Sequence, residues 1–342
     1  AAILSDAPAT ALVGAHGRYD GLATVVACAT VGLAVVALTW REPARLEWVA
    51  GAVVVGGVLG LAYVVLEQLG WEPIDWHLPG SSGAPIGLGG NPNFSGAHLA
   101  MAVPVVIAAR RRLATPWPRR AAILLAVLLT AGVWWTGTRG GLVALAGGVA
   151  AVGLLVPEAM PKPVRVGAVA GTILLVLAIV VSGAFGAVPG PRKLESLAVL
   201  DSKGIDQRTY IWAGTVSMIE ANPLLGVGPG GFGRAFAHHR PSRGGLSLIS
   251  ADEAHDIFLD RAATAGFPAL AAQLWLLALV GVGTWRARRV LPEHLRWLLG
   301  AFGGMLVAYL LQGLVSIDAI ALVLLSWLAI GSLLVLGDPA VV

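Results

Sequence analysis

Nine stretches of this chain carry no charged side chain and are long enough, or nearly so, to cross a lipid bilayer: 21–40, 48–66, 94–109, 121–138, 140–156, 166–188, 262–285, 297–317 and 319–337. A helix needs about 20 apolar residues to span the hydrocarbon core. Inside lipid the backbone must satisfy its own hydrogen bonds, which leaves helices or closed barrels. None of the nine runs shows the period-two alternation of a barrel strand. Only 12% of residues are charged and 57% are hydrophobic, half the charge that clothes a soluble domain (about 25%). The expected fold is therefore an all-α polytopic membrane protein, one domain over 1–342 with about nine transmembrane helices. The runs 94–109 and 140–156 are short and are expected to bend or to cross only in part.

The positions of Lys and Arg orient these spans. Arg41 and Arg45, then Arg110, Arg111, Arg112, Arg119 and Arg120, then Lys162 and Arg165, and finally Arg286, Arg288, Arg289 and Arg296 fall in alternate connections. These thirteen residues mark the cytoplasmic side. They also account for the net charge of +4 through anionic lipid, without a nucleic-acid partner. The first residues then lie outside and the C-terminus inside, so an odd number of further spans is expected upstream. The opening AAILSD has no basic region ahead of an apolar core and does not read as a signal peptide. A single cysteine, Cys28, excludes an intramolecular disulfide.

One connection breaks the short-loop pattern. Residues 189–254 form an external segment of 66 residues, long enough to escape the positive-inside rule and of a length that is usually functional or disordered. Within it Ile211, Trp212, Thr215, Val216 and Ile219 recur at helical spacing, the pattern of an amphipathic interfacial helix. Asn222-Pro223 ends it.

Four polar places stand out, because ionisable groups beside membrane spans are rare and functional by default. Thr136-Gly137-Thr138-Arg139-Gly140-Gly141 joins two spans outside. Its guanidinium suits the bidentate recognition of phosphate, or else snorkels to an interface. Arg208 opens the amphipathic helix and suits either an anion or its neighbour Asp206. The run from Asn222 to Phe232 is rich in glycine. With neither a strand before it nor Gly-Lys-Ser/Thr after it, it reads as successive turns rather than a phosphate loop. Asp252-Glu253-Ala254-His255-Asp256 precedes the seventh span; its histidine reads as a general base or as a solvated loop residue. His238-His239 has no chelating partner at helical spacing, His98 packs within the third span, and His294 is solvated. Glu67, Glu72, Asp75 and Asp318 sit at span ends or in external turns.

Taken in order, these motifs resemble the O-antigen ligase and polymerase superfamily of membrane glycosyltransferases. The matching segments are Gly17-Arg18-Tyr19-Asp20-Gly21, Asn91-Pro92-Asn93-Phe94-Ser95-Gly96, Thr138-Arg139-Gly140-Gly141, Arg208 to Trp212, Asn222 to Phe232 and Ala254-His255-Asp256. The resemblance covers nearly the whole chain, with the family's early spans missing. It implies transfer of a glycan from a polyprenyl (undecaprenyl) diphosphate carrier to an acceptor hydroxyl on the outer face of a bacterial inner membrane. The acceptor is lipid A core, another glycan or a protein, and the transfer is inverting, with no metal and no cofactor. Residue by residue, it implies Arg139 and Arg208 on the donor diphosphate and His255 as the catalytic base. Arg234, Arg240 and Arg243 are secondary candidates for holding the diphosphate or an anionic acceptor. One departure is Asp256, where the family commonly has Asn. Three other readings of the chain remain: a transporter or channel, a peptidoglycan polymerase of the shape and division family, whose donor would be lipid II and which the external motifs fit less well, and a non-catalytic scaffold. The absence of internal repeats and of intramembrane carboxylates counts against transport.

Overall fold

The computed structural model describes residues 7–15, 18–71, 84–181, 203–241 and 250–340, together with the single residues 2 and 74. Arg243, Glu72 and Asp75 lie outside the described residues. Among the described residues there are helices and turns but no strand. Twelve α-helices follow in chain order: α1 (Pro8–Val13), α2 (Leu22–Thr39), α3 (Leu46–Gln68), α4 (Pro92–Ala109), α5 (Pro116–Trp135), α6 (Arg139–Leu155), α7 (Lys162–Val181), α8 (Lys203–Ala221), α9 (Phe232–His239), α10 (Ile257–Val290), α11 (Glu293–Gly313) and α12 (Ile320–Leu336). Each of the nine apolar runs falls on one of these helices, the run 166–188 as far as Val181, where the described residues pause. Six of them are long and apolar enough to cross a membrane, while α6 and α12 are shorter apolar helices.

Helices α4, α6 and α11 form the centre. They pack mainly on one another, and α4 and α11 bury most of their residues. Lipid tails are as apolar as leucine, so association inside a bilayer relies on close packing, which small residues permit. Gly148 and Gly304 supply it. A Cβ on Gly148 would stand 2.9 Å from the Gly304 carbonyl oxygen, and one on Gly304 would stand 2.8 Å from that of Gly148. Gly32 and Gly331 do the same for α2 against α12, where a Cβ on Gly331 would meet Gly32 O at 2.4 Å. His98 on α4 packs beside Gly56 and Gly60 of α3, as its span position predicts. Around this centre α2, α3, α5 and α10 turn Leu33, Trp48, Leu124, Val127, Trp275 and other large apolar side chains outward, the arrangement of a bundle surrounded by lipid.

The basic loops do gather at one end. Arg112 pairs with Glu47 at 2.9 Å, Arg111 with Glu293 at 3.6 Å and Arg296 with Glu158 at 3.7 Å. Four connections distant in sequence are thereby joined, all from the set expected to share a side.

At the other end, α8, α9 and the start of α10 make a second, smaller core of Tyr210, Ile211, Met218, Ile219, Phe232, Phe236, Ala262 and Ala263. The apolar stripe of α8 is thus largely taken up by protein: Ile211, Thr215 and Ile219 are buried, whereas Val216 stays exposed.

Candidate active site

Helix α10 determines where the polar groups sit. It begins at Ile257, five residues before the charge-free run, so Asp260 and Arg261 belong to it. It is also broken, with φ +81° at Gly266. Pro268 has no N–H to offer the carbonyl of Thr264. That carbonyl accepts instead from Gly228 N–H at 2.9 Å, the Ala263 carbonyl accepts from Val227 N–H at 2.9 Å, and Phe267 N–H donates to Pro223 O at 2.8 Å. Three backbone groups at the break, the Ala263 and Thr264 carbonyls and Phe267 N–H, are thus taken up by the Asn222–Phe232 turns. The glycines there are steric requirements, since a Cβ on Gly226 would stand 2.4 Å from the Thr264 carbonyl carbon and one on Gly266 2.2 Å from Leu224 O. The turns read from the sequence are therefore real, and their function is to clamp α10.

His255 lies just ahead of this helix with φ +56°, a left-handed conformation uncommon outside glycine and costly enough to need support from its surroundings. Both neighbours supply that support. The Ala254 carbonyl accepts from Trp212 Nε1–H at 3.0 Å, and Ala254 N–H donates to Asp260 Oδ1 at 3.2 Å. On the other side, Asp256 Oδ1 accepts from Phe258 N–H and Leu259 N–H, both at 2.9 Å. Asp256 is thus the N-cap of α10. Asn and Asp are about equally good N-caps, which explains how either residue can follow the histidine.

Arg139 is the first residue of α6, reached through Gly137 at φ +63°. The turn is seated on α4 by Gly96, whose Cβ would stand 2.3 Å from Thr138 Oγ1 and 2.6 Å from Thr136 Oγ1. The Thr138 side chain caps none of the first-turn N–H groups of α6. A cation at the positive end of a helix opposes the macrodipole. Together with helix-terminal N–H groups it makes a place for an anion. Arg208 on α8 is half-buried. Burial, and then the positive charge of Arg139, hold its pKa below the ordinary arginine value. His255 is lowered as well, first by burial and then by the charge of Arg208, with Arg18 adding to the fall and Asp252 opposing it. Arg139, Arg208 and His255, 116 residues apart at their extremes, are therefore within electrostatic reach in sequence: the first of the second, the second of the third. A lowered histidine is neutral at pH 7, the form that accepts a proton.

Beside His255 lies a small pocket lined by Glu253, Asp256, Asp260, Arg261 and Asp318. Glu253 is 7% exposed, and burial, followed by the charge of Asp260, pushes its carboxyl well above the usual carboxylate range even with Arg18 3.2 Å away. Burial raises Asp318 to about 6, against the hydrogen bond that Tyr309 donates to it. Sequence reasoning left Asp318 as a span-end carboxylate and gave Arg18 no role. Arg18 bridges Asp252 and Glu253, residues 234 and 235 positions away; the signal that could have found it was its place in the Gly17–Gly21 motif.

Of the secondary arginines, Arg234 and Arg240 are described. Arg234 lines a separate cavity with Arg18, Asp20 and Asp252. Arg240 is exposed at the end of α9. His239 meets Ser217 at 3.1 Å, and among the described residues no cluster of metal-ligating side chains occurs.

Below Arg139, an apolar groove of about 910 Å³ runs between α4, α5, α6 and α7, lined among others by Leu142, Ala146 and Val149 of α6. These follow Arg139 at helical spacing on one face.

Residues 122–274 match the family model described as O-antigen ligase. The match spans Arg139, Arg208, the clamping turns and His255. No curated protein matches the chain.

Proposed function

We propose, from the match of residues 122–274 to the O-antigen ligase family, whose members are glycosyltransferase-like enzymes, that this protein transfers a glycan from a polyprenyl diphosphate carrier to an acceptor hydroxyl at the external face of a bacterial plasma membrane. The observation that carries the reading is the gathering of Arg139, Arg208 and His255 at the end of the bundle away from the basic loops.

In the reaction, the acceptor oxygen attacks the anomeric carbon as the bond from that carbon to the diphosphate oxygen breaks. His255 takes the hydroxyl proton, a task that matches its neutral form. Negative charge develops on the departing diphosphate, where Arg139, Arg208 and the first-turn N–H groups of α6 stabilise it by fixed electrostatics. The isoprenoid tail lies in the apolar groove that begins below Arg139. Attack opposite the leaving group inverts the anomeric centre, and the two guanidiniums provide the positive charge that a divalent ion would otherwise supply.

The test uses protein in nanodiscs with a labelled polyprenyl-diphosphate glycan and a panel of lipid A core, glycan and peptide acceptors, in EDTA. Transfer is expected from wild type, rising with pH through a value below about 6.5 as His255 deprotonates. His255→Ala should lose about 10²–10⁴-fold. Arg139→Lys should lose most activity, because a point charge does not reproduce the guanidinium fork. Equal transfer by His255→Ala would remove the base from the scheme, and solute flux without glycan turnover would replace the enzyme with a transporter.

A further inference from the structure

The cavity lined by Arg18, Asp20, Gly230, Gly233, Arg234 and Asp252 has a volume of about 480 Å³, within the roughly 300–1,000 Å³ typical of small-ligand sites. Three segments far apart in sequence build it, and the transfer scheme above leaves it unused. Arg18 links it to the pocket of the candidate base. Arg18 forms part of its wall while holding Glu253, which lines the small pocket of His255. Asp252, the other partner of Arg18, also acts on the ionisation of His255.

Its lining differs in kind from the Arg139–Arg208 region. Two arginines face two aspartates, so the formal charge of the four side chains cancels. Asp20 is held in place by Ala15 N–H, which donates to its Oδ1 at 2.9 Å, leaving Oδ2 for another donor. A diphosphate entering here would meet two carboxylates. Sugar hydroxyls, which donate and accept at once, find carboxylates to donate to and guanidiniums to accept from. Gly230 and Gly233 contribute backbone without side chains, and Gly230 holds φ +66°. A Cβ on Gly233 would meet only ordinary contacts at 3.5 Å, whereas one on Gly230 would meet Ala15 N at 3.0 Å and Thr10 Cγ2 at 3.1 Å, so that glycine seats the chain against α1.

Resting on the transfer reading above, we propose that this cavity is the acceptor subsite and that it takes an uncharged sugar, presenting its hydroxyl to His255 from the side opposite the donor diphosphate. The in-line geometry of an inverting displacement requires such a place, since nucleophile and leaving group stand on opposite faces of the anomeric carbon.

Two measurements on wild type, Arg234→Ala and Asp20→Asn in nanodiscs test it. Arg234 is exposed, so its removal leaves the core intact, and Asn at position 20 keeps an acceptor for Ala15 N–H. The first measurement is equilibrium binding of a soluble neutral tetrasaccharide, its monophosphorylated form and farnesyl diphosphate. The second is the steady-state KM for donor and for acceptor. The expected result is a tenfold or greater weakening of neutral-sugar binding and a matching rise in acceptor KM in both variants, with farnesyl diphosphate binding and donor KM unchanged. A rise in donor KM instead would assign the cavity to the donor sugar. Tighter binding of the phosphorylated sugar would overturn the uncharged-ligand assignment, and unchanged values throughout would overturn the subsite. Sugar binding that responds to the variants in a protein that transfers to no acceptor would overturn the transfer reading while keeping a glycan site here.

Discussion

The membrane bundle and the external layer are held together by opposite means. In the bundle, α4, α6 and α11 approach through glycines that let backbone touch backbone, and the contacts are apolar. In the external layer the contacts that fix the candidate site are directional: an indole on the Ala254 carbonyl, a carboxylate capping α10, and turns that take over the hydrogen bonds of a broken helix. Apolar packing tolerates sliding by fractions of an ångström. Hydrogen bonds converging on a left-handed histidine do not. The bundle therefore confers stability, while the external layer confers placement.

That division can be broken deliberately, and the largest effects separate the two regions. Gly148→Val should lower the melting temperature and remove transfer together, because overpacking costs about 1–3 kcal/mol and here the added atoms meet backbone at 2.9 Å. Gly226→Ala should reduce transfer at least tenfold with a smaller change in melting. Its Cβ meets the Thr264 backbone, and its φ of +62° disfavours any side chain. Equal melting losses from the two would mean that bundle and layer unfold as one unit.

A smaller, pH-dependent effect tests the electrostatics of the layer. The raised Glu253 carboxyl binds a proton in the folded state at pH values where the unfolded chain has released it. Stability contributed through this group therefore falls as pH rises above about 4.5, near the unfolded carboxyl pKa. Glu253→Gln should melt progressively higher than wild type from pH 5 to pH 8. A difference that stays constant across that range would mean that Glu253 is ionised throughout. The smallest effect belongs to Asp256. Asp256→Ala should cost about 0.5–2 kcal/mol, measured as a melting shift, whereas Asp256→Asn should leave both melting and transfer close to wild type. Loss of transfer in the Asn variant alone would give the carboxylate a role beyond capping.

Sequence reading reached the two regions unequally, for the same physical reason. Hydropathy reports burial in lipid, so all nine apolar runs and the shared side of the basic loops could be read directly. Arg139, Arg208 and His255 were legible because charge beside a span is expensive. The break in α10 was not: 262–285 is charge-free throughout, and Gly266 and Pro268 are tolerated in membrane helices when other groups satisfy the freed backbone. Those groups lie about forty residues upstream, at Pro223, Val227 and Gly228. Arg18 with Asp252 and Glu253 was hidden likewise, because pairing between distant segments leaves no periodicity in a single chain.

The break has a consequence for length. A continuous helix from Ile257 to Val290 would measure about 51 Å at 1.5 Å per residue, far more than the hydrocarbon core of about 30 Å. Divided at Gly266, it leaves roughly 36 Å for the stretch from Phe267 onward and a short bracket of two to three turns on the near side. Residue count along a single element, rather than the slack of a loop, sets how high His255 stands above the lipid.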